Sequence, residues 1–275
     1  MKNQLQNVVI TGSTRGIGRG MAEIFLSRKC RVFISGRNAG TVDEAVRSLE
    51  GSYGKGLVFG HPCDVTDPGQ VEELWGFAKS RFPSVDIWIN NAGISQPWQR
   101  IWEMDVAKLR QTILTNLTGA IIGTRTALRG MIEQGSGKIF NMEGLGSDGR
   151  IIDRMSVYGT TKCGIRYFTR AVGREARNTG IIIGTLSPGM VLTDFLKAPV
   201  AYDREYFEEA KRVFNILADR VETVTPFLVD RILKARRNGT RISWLTTPKV
   251  FLRFLFAPLK RRDLFSDESE GTAGS

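Results

Sequence analysis

Short apolar runs alternate with longer amphipathic segments up to about Leu186, and this alternation most constrains the fold. The apolar runs lack strict polar alternation and lie at 8–10, 32–34, 57–59, 87–89, 138–140 and 181–183. Segments with helical periodicity lie between them, at 17–27, 41–49, 69–81, 106–131 and 157–177. Strands without polar alternation are typical of sheets covered on both faces. The sequence therefore predicts an α/β fold, a doubly wound parallel sheet of the Rossmann type between two helical layers.

Composition places the chain among globular proteins and narrows its chemistry. Of 275 residues, 41% are hydrophobic and 24% are charged, which excludes wholesale disorder. The three cysteines are scattered and His61 is the one histidine, so we expect no disulfide scaffold and no metal site. Neither a signal peptide nor a membrane-spanning run is recognised, which predicts a cytoplasmic location. We expect one domain over 1–247, a basic apolar extension over 248–262 and a disordered tail over 263–275.

Positive charge is concentrated near the C-terminus. The net charge is +11, and eleven Lys or Arg side chains but only two acidic ones lie between Arg220 and Arg262. No recognised nucleic-acid-binding motif accompanies them, so a nucleic-acid partner is not expected. The apolar run 250–259 precedes three cations and is too short to span a bilayer. Residues 250–262 are therefore predicted to be a solvated face, a peripheral membrane contact or a cover over a hydrophobic pocket.

A glycine-rich loop follows the first predicted strand and precedes the first predicted helix. Glycines suit this junction because the turn is tight and a side chain would block an approaching pyrophosphate, while the helix N-terminus offers free N–H groups. The loop therefore predicts a dinucleotide site. Its candidate cofactor-binding residues are Gly12, Ser13, Thr14, Arg15, Gly16, Ile17 and Gly18.

The end of the second strand indicates which dinucleotide is preferred. A carboxylate normally meets a free ribose 2′-hydroxyl at this point, but the chain has Gly36 followed by Arg37. Arg37 and Arg15 together suit a 2′-phosphate. NADPH is therefore predicted in preference to NADH.

Tyr158 and Lys162 lie four residues apart in the helix predicted at 157–177, on one helical face. A phenol is a weak acid–base group at neutral pH. A neighbouring ammonium favours the phenolate, so Lys162 is expected to lower the pKa of Tyr158.

These motifs occur in one order, together with Asn90–Gly93, Asn116 and Pro188-Gly189. In this order the sequence resembles the short-chain dehydrogenase/reductase family over roughly residues 5 to 247. The resemblance implies that Tyr158 is the general acid, that Lys162 is its partner and a ligand of the nicotinamide ribose, and that Asn116 holds a proton-relay water. It also implies a homodimer or homotetramer formed through 106–131 and 157–177. Further cofactor contacts implied by the resemblance are Asp64, Val65, Asn91, Ala92, Gly93, Pro188, Gly189, Val191 and Thr193.

One position departs from the family pattern. The family usually has a serine about 13 residues before the tyrosine, but Leu145 stands there, and alignment from Asn141 places Glu143 or Gly144 at that point. Ser147 or backbone N–H groups of the glycine-rich turn are the candidate substitutes.

The departing segment, 141–150, resembles the chlorophyll b reductase subgroup, as do 187–194 and 215–219. That resemblance implies NADPH-dependent reduction of a carbonyl on a bulky apolar substrate, such as the formyl group of chlorophyll b. A reductase of other ketones or alcohols and a non-catalytic NADPH- or pigment-binding protein remain alternatives. The segment 192–218 is the predicted substrate lid, and its candidate apolar contacts are Phe195, Leu196, Tyr202, Tyr206 and Phe207.

Overall fold

Parallel strands form a central seven-stranded sheet and a small two-stranded one. In this computed structural model the described residues are 5–193, 204–259 and 262–265, with the backbone alone described for 204–209. The strands are β1 (Asn7–Ile10), β2 (Arg31–Gly36), β3 (Val58–Pro62), β4 (Ile87–Asn90), β5 (Lys138–Met142), β6 (Ile182–Ser187), β7 (Val191–Leu192), β8 (Asp219–Arg220) and β9 (Arg241–Ser243). The central sheet has the order β3-β2-β1-β4-β5-β6-β9, and β7 pairs with β8. This confirms the predicted fold class.

Helices cover both faces of the central sheet. They are α1 (Gly16–Ser27), α2 (Ala39–Tyr53), α3 (Pro68–Arg81), α4 (Val106–Ile113), α5 (Gly119–Gln134), α6 (Ser156–Glu175), α7 (Arg204–Leu217), α8 (Val221–Lys234) and α9 (Thr247–Phe256). One hydrophobic core joins α1, α2 and α8 to the sheet, and the other joins α3, α5 and α6 to its opposite face. The central strands are buried between these layers, which accounts for their uninterrupted apolar sequences.

Several elements differ from the sequence prediction, and the two-residue strands β7 and β8 were not predicted. The helix predicted at 106–131 is continuous but contains a π-helical turn at Leu114–Thr118, which separates α4 from α5. Strand β9 was not predicted, because it has three residues and only Ile242 among them is buried. The predicted lid residues Phe195, Leu196 and Tyr202 lie outside the described residues.

The strand order places the functional crevice. Connections leave β1 and β4 in opposite directions, because β2 follows β1 on one side and β5 follows β4 on the other. In open α/β sheets ligands bind at this switch point, outside the carboxyl ends of the strands. The loops after β1, β4, β5 and β6 therefore converge on one site.

Candidate active site

The glycine loop packs backbone against backbone at the switch point. Gly12 and Gly16 have φ angles of +61° and +58°, a left-handed conformation that glycine adopts without steric cost. A Cβ on Gly18 would lie 2.4 Å from the carbonyl oxygen of Gly12. The Nδ2 of Asn91 donates to the carbonyl oxygens of Thr11 (3.0 Å) and Gly12 (2.8 Å). The start of α1 is thereby held open to an anionic group.

Ser13 is the residue of this loop whose side chain faces away from the site. It is fully buried, its Oγ donates to the carbonyl oxygen of Ile10 (2.6 Å) and accepts from the N–H of Ser35 (3.0 Å). The hydroxyl therefore joins β1 to β2. Both hydrogen bonds are internal to the protein, and contact of Ser13 with the cofactor stays a prediction.

The end of β2 has little room for an acidic side chain. A Cβ on Gly36 would lie 2.9 Å from Cγ2 of Thr14. Arg15 and Arg37 are both exposed and line the same cavity, one from the glycine loop and one from the end of β2. This part of the cavity is consequently positive.

A single cavity of ≈1650 Å³ runs from the glycine loop to α7 and α9. This exceeds the volume of about 300–1,000 Å³ usual for one small ligand. It can hold a dinucleotide together with a second molecule. Besides Tyr158 and Lys162, the predicted site residues that line it are Gly12, Thr14, Arg15, Gly16, Ile17, Gly18, Arg37, Asp64, Val65, Asn91, Ala92, Gly93, Pro188, Gly189, Val191 and Thr193.

Asn116 lies in the π-helical turn behind the cavity wall. Its Oδ1 accepts from the N–H of Ile94 (2.7 Å), and its Nδ2 donates to the carbonyl oxygen of Ile94 (2.9 Å). Both ends of the amide thus hold the loop after β4. The Asn116 side chain therefore positions this loop, and the relay water that the family resemblance implies stays a prediction.

Tyr158 and Lys162 are buried together at the inner end of the cavity. The Nζ of Lys162 lies 5.6 Å from the centroid of the Tyr158 ring and donates to the carbonyl oxygen of Met142 (3.2 Å). Burial raises the pKa of Tyr158 above its usual value, which is opposite in direction to the effect expected from Lys162. Burial also lowers the pKa of Lys162 to about 8, against the opposing field of Glu143. At neutral pH the phenol therefore carries its proton, as a general acid requires.

Gly144 occupies the position beside Tyr158 where the family usually has a serine. A Cβ on Gly144 would lie 2.4 Å from the Tyr158 hydroxyl, so Gly144 stands where a side chain would contact that oxygen. Ser147 does not replace the serine, because its buried Oγ donates to Oε2 of Glu143 (3.1 Å). Among the described residues, the N–H groups of Gly144 and Leu145 make no hydrogen bond to protein. They are candidate donors of this turn, as are the N–H groups of Gly146 and Asp148.

Glu143 is held by a residue that sequence reasoning missed. Its Oε2 accepts from Nε (3.0 Å) and Nη2 (2.8 Å) of Arg241, at the start of β9. The Glu143 side chain has no exposed surface, and its Oε1 has no partner among the described residues although Glu143 lines the cavity. No sequence signal joins these residues, since they lie 98 positions apart.

Apolar side chains line the cavity beside Tyr158. The rings of Trp98 and Phe214 are 5.9 Å apart and form a cluster with Met155 and Tyr158. Val250 and Phe254 of α9 complete the cavity lining. Trp98 and Phe214 were not predicted as site residues, because their apolar character is equally typical of a core.

These features define a class of protein. The sequence matches the short chain dehydrogenase family over residues 6–202. The chain belongs to this family, whose fold binds NAD or NADP, and it is an oxidoreductase.

Two solved structures share its fold. Levodione reductase has a TM-score of 0.79 and 25% identity, covering 87% of this chain and 95% of the other. A variant of actinorhodin polyketide ketoreductase with NADPH has a TM-score of 0.77 and 24% identity, covering 88% and 97%.

The curated relatives are more specific. The chain is 36% identical over 279 residues to the probable chlorophyll(ide) b reductase NYC1, chloroplastic, of Oryza sativa subsp. japonica, covering 96% of this chain and 54% of that protein. It is 35% identical over 256 residues to the chlorophyll(ide) b reductase NOL, chloroplastic, of Arabidopsis thaliana, covering 90% and 72%. The chain thus spans about half the length of the NYC1 protein. Within its described part, no helix is long and apolar enough to cross a bilayer.

The Glu143–Arg241 pair generates a prediction about stability. Substituting Arg241→Met leaves a carboxylate without its cation in a fully buried position. We expect the free energy of unfolding to fall by about 2 kcal/mol, less than for a completely buried pair because Arg241 is 40% exposed. Chemical denaturation measures this. Arg237→Met, at an exposed neighbouring arginine, is the matched control, and equal stability of both variants would show that the pair contributes nothing.

Proposed function

We propose that this protein reduces a carbonyl group of a bulky apolar substrate with NADPH, and that the substrate is the formyl group of chlorophyll b or of a related tetrapyrrole. The observation that carries the proposal is the position of Tyr158. Its buried, protonated phenol lines the cavity beside the apolar side chains of Trp98, Met155 and Phe214, which pack with it in one cluster. The relatives named as chlorophyll(ide) b reductases support the substrate class.

The residues around the glycine loop fit a dinucleotide. Side chains at Gly12 and Gly18 would fill the cradle against Ala92 and the loop itself, and the N-terminus of α1 suits a pyrophosphate. Arg15 and Arg37 would meet a 2′-phosphate. Asp64 and Val65 would contact the adenine, and Pro188 to Thr193 would hold the nicotinamide end. When bound, NADPH supplies the hydride that the carbonyl carbon accepts.

The chain supplies the proton and its electrostatic control. Tyr158 Oη donates a proton to the carbonyl oxygen, which becomes the alcohol hydroxyl. The Lys162 ammonium stabilises the phenolate left behind, because the two groups share a buried site where charge interactions are strong. The N–H groups of Gly144 and Leu145 polarise the carbonyl in place of the usual serine.

The absence of a side chain at Gly144 favours one alternative function. A protein that holds NADPH or a pigment without turnover would not need a hydroxyl beside Tyr158. A reductase of other ketones or alcohols is the second alternative, since an apolar wall accepts many substrates. Activity measured on a panel of carbonyls distinguishes the three.

We also propose a domain organisation, an association between copies of the chain and a membrane contact. Residues 1–247 form the catalytic domain, and 192–218 form its lid, of which α7 places Phe214 against Trp98. Copies associate as a homodimer or homotetramer through the helices at 106–134 and 156–175, which carry the exposed side chains of Val106, Ile132 and Tyr167. Peripheral membrane contact through 250–262 brings the enzyme to a lipid-soluble substrate.

Tyr158→Phe tests the reaction. It removes the proton donor but keeps the ring that packs in the cluster, so we expect the rate of formyl reduction to fall about a hundredfold or more while NADPH binding is retained. The assay follows NADPH oxidation with chlorophyll b, its phytol-free acid and simpler aldehydes and ketones. Tyr167→Phe, at an exposed tyrosine of the same helix, is the matched control. Full activity of Tyr158→Phe would refute the assigned acid.

The pKa of Lys162 sets the pH dependence. Since that pKa is lowered to about 8, the ammonium is present below pH 8 and is lost above it. We expect kcat/KM, which reports groups of the free enzyme, to be constant from pH 6.5 to about 7.5 and to decline above about pH 8. A profile with no decline up to pH 10 would contradict this, because the group would then have the ordinary lysine pKa of about 10.4.

Arg37→Ala tests the cofactor preference. Removing one charged partner of the 2′-phosphate is expected to raise the KM for NADPH about tenfold and to leave the KM for NADH unchanged. Initial rates with both cofactors measure the ratio. Arg47→Ala, at an exposed arginine of α2, is the control. Equal changes in the KM for NADPH and the KM for NADH would show that Arg37 does not bind the 2′-phosphate.

A further inference from the structure

Helix α9 has its polarity reversed relative to an ordinary surface helix. Such helices bury an apolar stripe and expose their charges. In α9 the large apolar side chains face outward: Phe251 is 67% exposed and Leu255 is 57% exposed, and Leu259 just beyond the helix is 83% exposed. Leu252 and Phe256 are also exposed. The helix therefore presents a contiguous apolar face, which in soluble proteins marks a contact surface.

The charged side of α9 is bound to the protein instead. Arg253 donates from Nη2 to Oδ2 of Asp219 (2.7 Å) and from Nη1 to the carbonyl oxygen of Leu217 (2.9 Å). Arg262 donates from Nη2 to Oδ1 of Asp219 (3.0 Å) and to the carbonyl oxygen of Ala218 (2.8 Å). Because Asp219 is buried, both arginines hold the helix firmly in its reversed orientation. The outward apolar face is thus fixed by specific bonds.

A cationic groove lies between α7 and α9, beside this apolar face. It is a cavity of ≈1180 Å³ lined by five basic residues and two acidic ones. Asp219 already pairs with two of the arginines, and the pKa of Lys249 is lowered, first by burial and then by Arg253. Arg212 is exposed at the groove. An anionic group would relieve this accumulation of positive charge.

We propose that the apolar face of α9 (Phe251, Leu252, Leu255, Phe256 and Leu259) inserts into the surface of an anionic lipid bilayer, and that the groove between α7 and α9 binds a lipid headgroup phosphate. Apolar side chains flanked by cations are the pattern of an interfacial helix on acidic lipid. A second copy would bring the same positive groove against itself.

The position of α9 links the lipid surface to the active site. Val250 and Phe254 line the cavity that contains Tyr158, while Leu252 and Phe256 line the cationic groove. Seating α9 on a bilayer therefore brings the mouth of the catalytic cavity to the lipid. This route rests on the proposed function, because it serves a substrate that dissolves in membranes, whereas vesicle binding itself needs no substrate.

Vesicle co-sedimentation of the full-length protein tests the surface. We expect binding to vesicles of phosphatidylcholine and phosphatidylglycerol in equal parts, and much weaker binding to phosphatidylcholine alone. Phe251→Gln combined with Leu255→Gln should weaken binding about tenfold or more, because both side chains are already exposed and would enter the bilayer. Phe77→Gln, at an exposed phenylalanine of α3, is the matched control.

The groove is tested by Arg212→Gln and Lys249→Gln. Each should weaken binding to the acidic vesicles about fivefold, and raised salt should remove the difference. Unchanged binding by both sets of variants would overturn the proposal. So would binding of inorganic phosphate without vesicle binding, or a dimer that Phe251→Gln abolishes. NADPH oxidation with a water-soluble aldehyde is measured in parallel, so that loss of the reductase is distinguished from loss of lipid binding.

Discussion

The site depends on the close approach of two backbones at the switch point of the sheet. The loop after β1 lies against the loop after β4 so tightly that a Cβ on Gly12 would lie 2.7 Å from Cα of Ala92. Asn91 fastens the two with side-chain hydrogen bonds to Thr11 and Gly12. The dinucleotide cradle, the start of α1 and the position of the loop after β4 all follow from this contact. Glycine is required there because no side chain fits.

In the proposed catalytic pair, Tyr158 and Lys162, the effects of burial and of charge on the pKa values oppose each other. Burial keeps the proton on Tyr158 and lowers the pKa of Lys162 to about 8, while Glu143 opposes the shift of the lysine. Arg241 in turn neutralises Glu143 through two hydrogen bonds. The charged groups that influence the Tyr158 site therefore include Arg241 on β9, an edge strand far along the sequence. The glycine at position 144 leaves the space beside the phenol for a substrate oxygen.

Local patterns in the sequence were sufficient to predict six strands of the central sheet and the helices between them. They also identified most of the residues that line the cavity. Apolar runs and helical periodicity are set by neighbouring residues, and the glycine loop has its own signature. The contacts that the sequence did not disclose join distant residues, as Arg241 with Glu143 and Arg253 with Asp219. The π-helical turn at Asn116 was missed for a related reason, because tertiary packing decides it.

The most direct test of the central claim is transfer of a label from cofactor to substrate. The protein would be incubated with the phytol-free acid of chlorophyll b and NADPH carrying deuterium at the transferring carbon of the nicotinamide, and the pigment would be analysed by mass spectrometry. The deuterium is expected in the new hydroxymethyl group, and Tyr158→Phe is expected to transfer it at least about a hundredfold more slowly. Formyl pigment returned unchanged, while simpler carbonyls acquire the label, would contradict the assigned substrate. An unlabelled product would contradict the hydride transfer itself.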